Sequence, residues 1–371
     1  MSSKQPKIPA PSGAVASARA RRLSARLLAW YDGAGRRFPW RAATGTEPDP
    51  YRVWLAEVML QQTTTAGMTP YFEAFFARWP DLESLAGATL DDVLHAWAGL
   101  GYYARARNLH ACARRLVAEH GGRFPDDEAG LRALPGIGAY SAAAIAAIAF
   151  ERSAVVIDGN VTRVLIRLAG LGRPAGQVTR EVRALAERLT PARRPGDYAQ
   201  AIMDLGATVC TPRRPDCPRC PWRRSCAGHA KGIAADLPRK VAKPVRPLRH
   251  AVAFWAVRPS DGHVLLRRRA EKGLLGGMME LPSTDWVDAP LRLTDARRKA
   301  PAKAAWRRLP GTVRHGFTHF EIEFVLLKGM VEKVGGVDGV WVAPERLGEH
   351  ALPTMTRKLI RHAHAAGKDA H

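Results

Sequence analysis

A mainly α-helical domain followed by a smaller α+β domain is the fold class that this 371-residue chain predicts. Three observations carry it. Apolar residues recur at helical spacing from about residue 19 to 230, with short loops marked by Gly and Pro. From about residue 250 the period becomes two. Between the two regimes, residues 231–249 hold the extended, basic runs Leu237-Pro238-Arg239-Lys240 and Lys243-Pro244-Val245-Arg246-Pro247, which read as a linker.

Residues 1–18 are rich in Pro, Ser, Ala and Gly and are expected to be a disordered tail. The helical domain is placed at 19–209, on apolar segments that include Leu27–Tyr31, Trp54–Leu60, Tyr71–Trp79, Val93–Trp97, Leu109–Val117, Ala142–Phe150 and Val161–Leu168. Thr89-Leu90-Asp91-Asp92 predicts a helix start, since Thr89 can cap and the acids favour the first turn. In the second domain, 250–371, Ala251–Val257 and His263–Arg267 flank the turn Pro259-Ser260-Asp261-Gly262. Phe320–Phe324 alternates, which predicts one face in a core and the other in water. Gly339–Val342 is a further strand candidate. No internal repeat is present.

Cys210, Cys217, Cys220 and Cys226, spaced C-x6-C-x2-C-x5-C, take four of the five cysteines and define a loop at 210–230. Disulfides fit poorly, because nothing else in the chain looks secreted. Four thiolates with unequal gaps suit a [4Fe–4S] cluster, and a tetrahedral zinc site accepts four thiolates as well. Zinc ribbons pair two C-x2-C knuckles, whereas this chain has one. The fifth, Cys112, lies in a helical stretch and reads as core packing.

Arg213, Arg214, Arg219, Arg223 and Arg224 are threaded through the cysteine loop, which points it towards phosphate. Lys and Arg number 57 against 34 Asp and Glu, a formal charge of +23. Nucleic acid is the expected polyanion. No apolar run has the length of a bilayer span, and Met1–Ala16 lacks a signal-peptide core, so a cytoplasmic protein is expected.

Leu134-Pro135-Gly136-Ile137-Gly138 precedes a helix of small residues, Ser141–Phe150. Gly136 and Gly138 allow backbone N–H groups to face outward at a helix amino terminus, an anion nest for a DNA phosphate. An ordinary Pro-Gly turn between helices is the plainer reading. Glu57 borders an apolar stripe of Trp54, Leu55, Val58 and Met59 and shares a face with Gln61. Desolvation there favours the neutral carboxyl, as a general acid requires; otherwise Glu57 simply solvates its helix. Asp158 ends the apolar run Val155–Ile157 just before Gly159 and Asn160. It can cap the next helix. Together, two carboxyls in unlike settings are what cleavage of a glycosidic bond needs, one to protonate the leaving group and one to stay ionised below the sugar cation.

In order along the chain, Phe38-Pro39-Trp40-Arg41, the Glu57 helix, Gly99-Leu100-Gly101-Tyr102-Tyr103-Ala104-Arg105-Ala106-Arg107-Asn108-Leu109, the hairpin, Asp158-Gly159-Asn160 and the four cysteines resemble the adenine DNA glycosylase (MutY) family. The resemblance covers about residues 22–230 and continues more loosely to about 345. It implies a two-lobed helix-hairpin-helix glycosylase domain with a [4Fe–4S] loop, and a monomer acting on double-stranded DNA with adenine opposite 8-oxoguanine or guanine. It further implies that Glu57 protonates the extruded adenine and that Asp158 stabilises the sugar cation. Tyr140 and Asn160 would support these carboxyls, and Arg41 would hold the adenine. Gln62 and Tyr102 would enter the base stack. Relatives of the endonuclease III kind carry a lysine where this chain has Tyr140, so the resemblance implies a monofunctional enzyme.

The second domain resembles the Nudix-like module of such enzymes, with Gly273–Pro282 as its loop. A Nudix hydrolase needs a cluster of glutamates on the following helix, and none occurs between Leu281 and Pro310, so diphosphate hydrolysis is not expected. His315-Gly316-Phe317-Thr318-His319 stands where the family has a Phe-Ser-His reader of 8-oxoguanine, with Thr318 keeping the hydroxyl. By itself, His319 reads as a strand-end core histidine. Two other functions remain open from sequence. One is a bifunctional glycosylase/lyase acting on oxidised pyrimidines; the other is a non-catalytic iron–sulfur protein that grips DNA through the hairpin.

Overall fold

The computed structural model describes residues 13–43, 46–240, 245–271, 273–333 and 336–368. They divide into two compact units. The first comprises Met1–Glu83 and Ala111–Ala242, and the second Ser84–His110 and Lys243–His371.

The helices run α1 (Gly13–Ala34), α2 (Pro50–Leu60), α3 (Thr65–Arg78), α4 (Leu82–Gly87), α5 (Leu90–Ala96), α6 (Ala104–His120), α7 (Glu128–Arg132), α8 (Ala139–Phe150), α9 (Gly159–Ala169), α10 (Thr179–Leu189), α11 (Pro195–Asp204) and α12 (Ala227–Ala230). Helix α1 begins inside the expected tail. Its opening Ala-Val-Ala-Ser-Ala-Arg favours helix, and Ala20, Leu23 and Leu27 bury its inner face. The remainder of that tail, 1–12, lies outside the described residues. Thr89 caps α5 through the amide of Asp92, as its sequence predicts. Cys112 is fully buried.

One core of the first unit gathers α1, α9, α10 and α11 around Leu27, Val161, Leu165, Val182, Ile202 and Trp222. Helix α8 is almost all Ala and Ile because it is buried on every side, with no amphipathic face to select. After α11 the backbone loosens into a π-helical turn, Leu205–Val209, which delivers Cys210. The first half of the expected linker belongs to this unit. Leu237 is buried in its core, and Arg239 forms a parallel bridge to Pro174. Residues 241–244 lie outside the described residues.

The second unit carries strands β1 (Leu248–Val257), β2 (Val264–Arg268), β3 (Met279–Glu280), β4 (Arg307–Arg308), β5 (Val313–Gly316), β6 (Glu321–Met330) and β7 (Val340–Val342). Their order is β3-β2-β1-β6-β4, with β5 on β6 and β7 on β2. Strands β1 and β6 pair in parallel from Leu248–Glu321 to Val257–Met330, and the other pairs are antiparallel. Strand β1 is apolar on both faces because both are covered. Ala251, Ala253 and Trp255 join a core with helix α14 (Thr354–Lys368), while Val252, Phe254 and Ala256 face Trp306 and helix α13 (Leu293–Arg298). Ile322 and Phe324 point inward from β6 while Glu321 stays exposed, as the alternation predicts. Residues 84–110 fall in the same compact unit as the sheet, whereas the sequence reading placed them within the helical domain at 19–209. Local periodicity marks that segment as helical but carries no information about its packing partner.

Candidate active site

A cleft of about 380 Å³ opens in the first unit, and Glu57, Tyr140, Asp158, Asn160 and Arg41 all line it. Helix α2 supplies Glu57 near its carboxyl end, and α8 supplies Tyr140 in its first turn. Asp158 caps α9, accepting from the amide of Val161 at 2.6 Å. One oxygen of Asp158 thus caps α9 while the residue also lines the cleft. Phe38 and Trp40 stack at 4.6 Å on the same wall. No lysine is among the residues lining it.

The two carboxyls differ in setting, as the sequence predicts. Glu57 is 7% exposed and its Oε2 is buried without a hydrogen-bond partner. Burial pushes its pKa up to about 7. A hydrogen bond from Tyr140 opposes the rise, the charge of Asp158 adds to it, and Arg41 again opposes it. Tyr140 is held far towards its neutral form by burial and by the two acids. Its hydroxyl also lies 3.4 Å from Met203 Sδ. Asp158 is half-buried and accepts at Oδ2 from Asn160 Nδ2 at 3.1 Å.

Arg41 lines the cleft with its guanidinium held by Asp204. Its Nη1 and Nη2 donate to Asp204 at 2.7 and 2.9 Å, and Nη1 also meets the carbonyl of Arg36. Asp204 is fully buried and holds Arg36 as well. Burial works against its charge, but hydrogen bonds and charge from Arg41, joined by Arg36, keep the carboxyl below its usual range. Sequence reasoning missed Asp204. The signal available was an acid inside the apolar run Ala201–Leu205, where only a buried cation could balance it.

Asn160 extends the site towards the cysteines. Its Oδ1 accepts from Arg163 Nη2 at 2.8 Å, and Arg163 also donates to the carbonyls of Gly206 and Cys210. One turn on, the buried Arg167 donates to the carbonyls of Cys210, Thr211, Pro212 and Leu237, and lies 3.3 Å from Cys210 Sγ. No carboxylate is among these partners. Cys210, Cys217, Cys220 and Cys226 are unbridged and ring one small cavity. No three His, Cys, Asp or Glu side chains among the described residues converge closely enough for a single metal ion. A buried guanidinium requires compensating charge, and an anionic centre ligated by four thiolates fits that need. Trp222, inside the cysteine loop, is buried and donates to Leu23 of α1 at 2.8 Å.

The remaining predicted residues occupy exposed turns. Gly136 takes φ +76, a left-handed conformation, and Gly138 caps α8 with no side chain over its first amides. Gln62 and Tyr102 adopt φ +61 and +48, unusual for residues with a Cβ. In the second unit, buried Arg105 donates to the carbonyls of Leu100 and Gly101 and lies over the rings of Trp97 and Tyr102. The Tyr102 hydroxyl meets that of Thr318 at 2.6 Å. Phe317 packs with Trp286, Phe320 and His315, so its ring anchors the hairpin while Thr318 and His319 stay exposed. That exposure sets aside the reading of His319 as a core residue.

Residues 55–191 match the HhH-GPD superfamily of base excision DNA repair proteins, and residues 253–362 match the NUDIX domain. The adenine DNA glycosylase of Homo sapiens is 34% identical, over 90% of this chain and 72% of its own length. That of Mycolicibacterium smegmatis is 39% identical over 60% of this chain and 76% of its own. A thermostable thymine-DNA glycosylase of known structure matches 58% of this chain and 99% of its own, with TM-score 0.51 and 28% identity.

Proposed function

Because this chain belongs to the adenine DNA glycosylase family, we propose that it removes adenine lying opposite 8-oxoguanine or guanine, as a monofunctional enzyme that leaves the strand uncut. The observation that carries the chemistry is the pairing of Glu57 and Asp158 on one cleft, one carboxyl buried and the other capped and half-exposed.

Extrusion of the adenine costs a few kcal/mol, and Gln62 and Tyr102 fill the gap it leaves. Phe38 and Trp40 offer an apolar wall for the flipped base. Glu57, protonated near neutral pH, donates to the base as the glycosidic bond breaks. Asp158, oriented by Asn160 and the α9 amide, faces the developing oxocarbenium ion. Glu57 then takes a proton from the incoming water. A strand-cutting step would need an amine at the sugar, and the cleft lining offers no lysine.

The four cysteines would hold a [4Fe–4S] cluster, which when bound supplies a rigid anionic anchor and no step of the hydrolysis. Around it, Arg167 fixes the loop carbonyls and Trp222 ties the loop to α1. The hairpin amides behind Gly136 and Gly138 grip phosphate, and Thr318 and His319 read the opposite base. No described helix is long and apolar enough to cross a membrane.

The test is excision from a duplex with one A:8-oxoguanine pair, followed with and without alkali. Base loss with strand scission only after alkali is expected. Scission without alkali would overturn the monofunctional reading, and an intact base would overturn the substrate.

A further inference from the structure

The glycine-rich loop Gly273–Pro282 has no glutamate helix behind it and yet is tightly built. Gly276 admits no Cβ, which would stand 2.1 Å from the carbonyl oxygen of Glu271. Gly277 sits at φ +71, and its amide returns to the carbonyls of Arg269 and Ala270. Below the loop, Glu280 is buried between Arg267 and Arg269. The consecutive carbonyls of Gly276 and Gly277 are taken by two guanidinium groups. Arg107 of α6 donates to Gly276, and Arg268 donates to Gly277 at 3.0 Å. Arg268 in turn makes a two-pronged pair with Asp91 of α5, both contacts at 2.8 Å. Leu94 and the stem of Arg107 lie against Gly277. All these residues belong to the second unit.

We propose that this loop serves as a socket for residues 84–110, in which Arg107 and the Asp91–Arg268 pair are positioning residues that hold Tyr102 and the Thr318 hairpin as one opposite-base recognition element. The inference rests on the reading that Tyr102 and residues 317–319 meet the opposite base. Segment 84–110 carries Tyr102 on the turn fixed by Arg105, and the sheet carries Thr318 on the hairpin after β5. The hydroxyl contact between them is exposed and cannot set their spacing alone. The part-buried bonds of Arg107 and Arg268 to the loop carbonyls, and the exposed two-pronged pair of Arg268 with Asp91, are stiffer, because the planar guanidinium fixes direction as well as distance. A socket of carbonyls filled by arginines also explains why the loop persists without a diphosphate to bind.

The experiment compares single-turnover excision from A:8-oxoguanine and A:G duplexes by the full-length protein and its Arg107→Ala, Arg107→Lys and Asp91→Asn variants. Arg107→Ala should reduce the preference for 8-oxoguanine by about tenfold, the scale of one lost hydrogen bond to a charged group, while excision opposite guanine changes little. Arg107→Lys should recover part of the preference, and Asp91→Asn should show a smaller loss in the same direction. Amide exchange in residues 273–281 and 313–320 should quicken in Arg107→Ala. An unchanged preference in both Arg107→Ala and Asp91→Asn would overturn the inference, as would equal losses on both duplexes. If the unsubstituted protein treated the duplexes alike, the underlying opposite-base reading would fall first. That failure is visible in the parent protein before any variant is made.

Discussion

Replacing Glu57 with glutamine should stabilise the protein while abolishing excision, and the gain should grow with pH. In the unfolded chain the carboxyl ionises near its ordinary value of 4.5, whereas burial in the fold raises this to about 7. Between those values the folded protein keeps a proton that the unfolded chain releases. Stability therefore falls as pH rises through this window, and the whole penalty is present above about pH 7. At about 1.4 kcal/mol for each tenfold change in proton affinity, the penalty approaches roughly 3 kcal/mol. Glutamine carries none of it. From pH of about 5.5 to about 8.5, the stability difference between Glu57→Gln and its parent should widen by roughly 2 kcal/mol. Urea denaturation of both proteins at each pH measures this directly. The parent's single-turnover excision should meanwhile decline above pH of about 7 as the acid loses its proton. A stability difference that stayed flat with pH would refute the buried neutral carboxyl, and with it the assignment of Glu57 as the proton donor.

Asp158 has two duties that substitution can separate. Asp158→Asn keeps a capping oxygen for α9, so it should fold normally and lose excision, whereas Asp158→Ala should also lose about 1 kcal/mol of stability in thermal or chemical melts. Asp204→Ala strands two arginines beside a buried site, and denaturation should reveal a loss of roughly 3–5 kcal/mol. Arg167→Met removes the buried cation from the cysteine loop. Purified protein should then retain less iron per chain, a readout independent of activity; full iron content would contradict the charge argument. Arg105→Ala frees the Gly99–Tyr102 turn and should slow excision on both duplexes, as expected if Tyr102 also fills the gap that the extruded adenine leaves. Filter binding across a salt series should show affinity falling by about 10³–10⁵ between roughly 50 and 200 mM, if 6–10 phosphates are contacted.

The sequence by itself determined the chemistry available and most of the local structure. Helical and alternating periods report which face of an element avoids water, so α2, α8, β1 and β6 were legible without coordinates. Asp158 announced itself by its place before Gly159 and Asn160, and the cysteines by their spacing. Tertiary structure alone decided which distant groups share a dielectric environment. It buried Glu57 against Tyr140, spent Arg41 on Asp204, and led Asn160 through Arg163 to the carbonyl of Cys210. It also turned the ring of Phe317 inward against Trp286. Solvation and hydrogen bonding depend on three-dimensional neighbours, and neighbours far apart in the chain leave no mark on local periodicity.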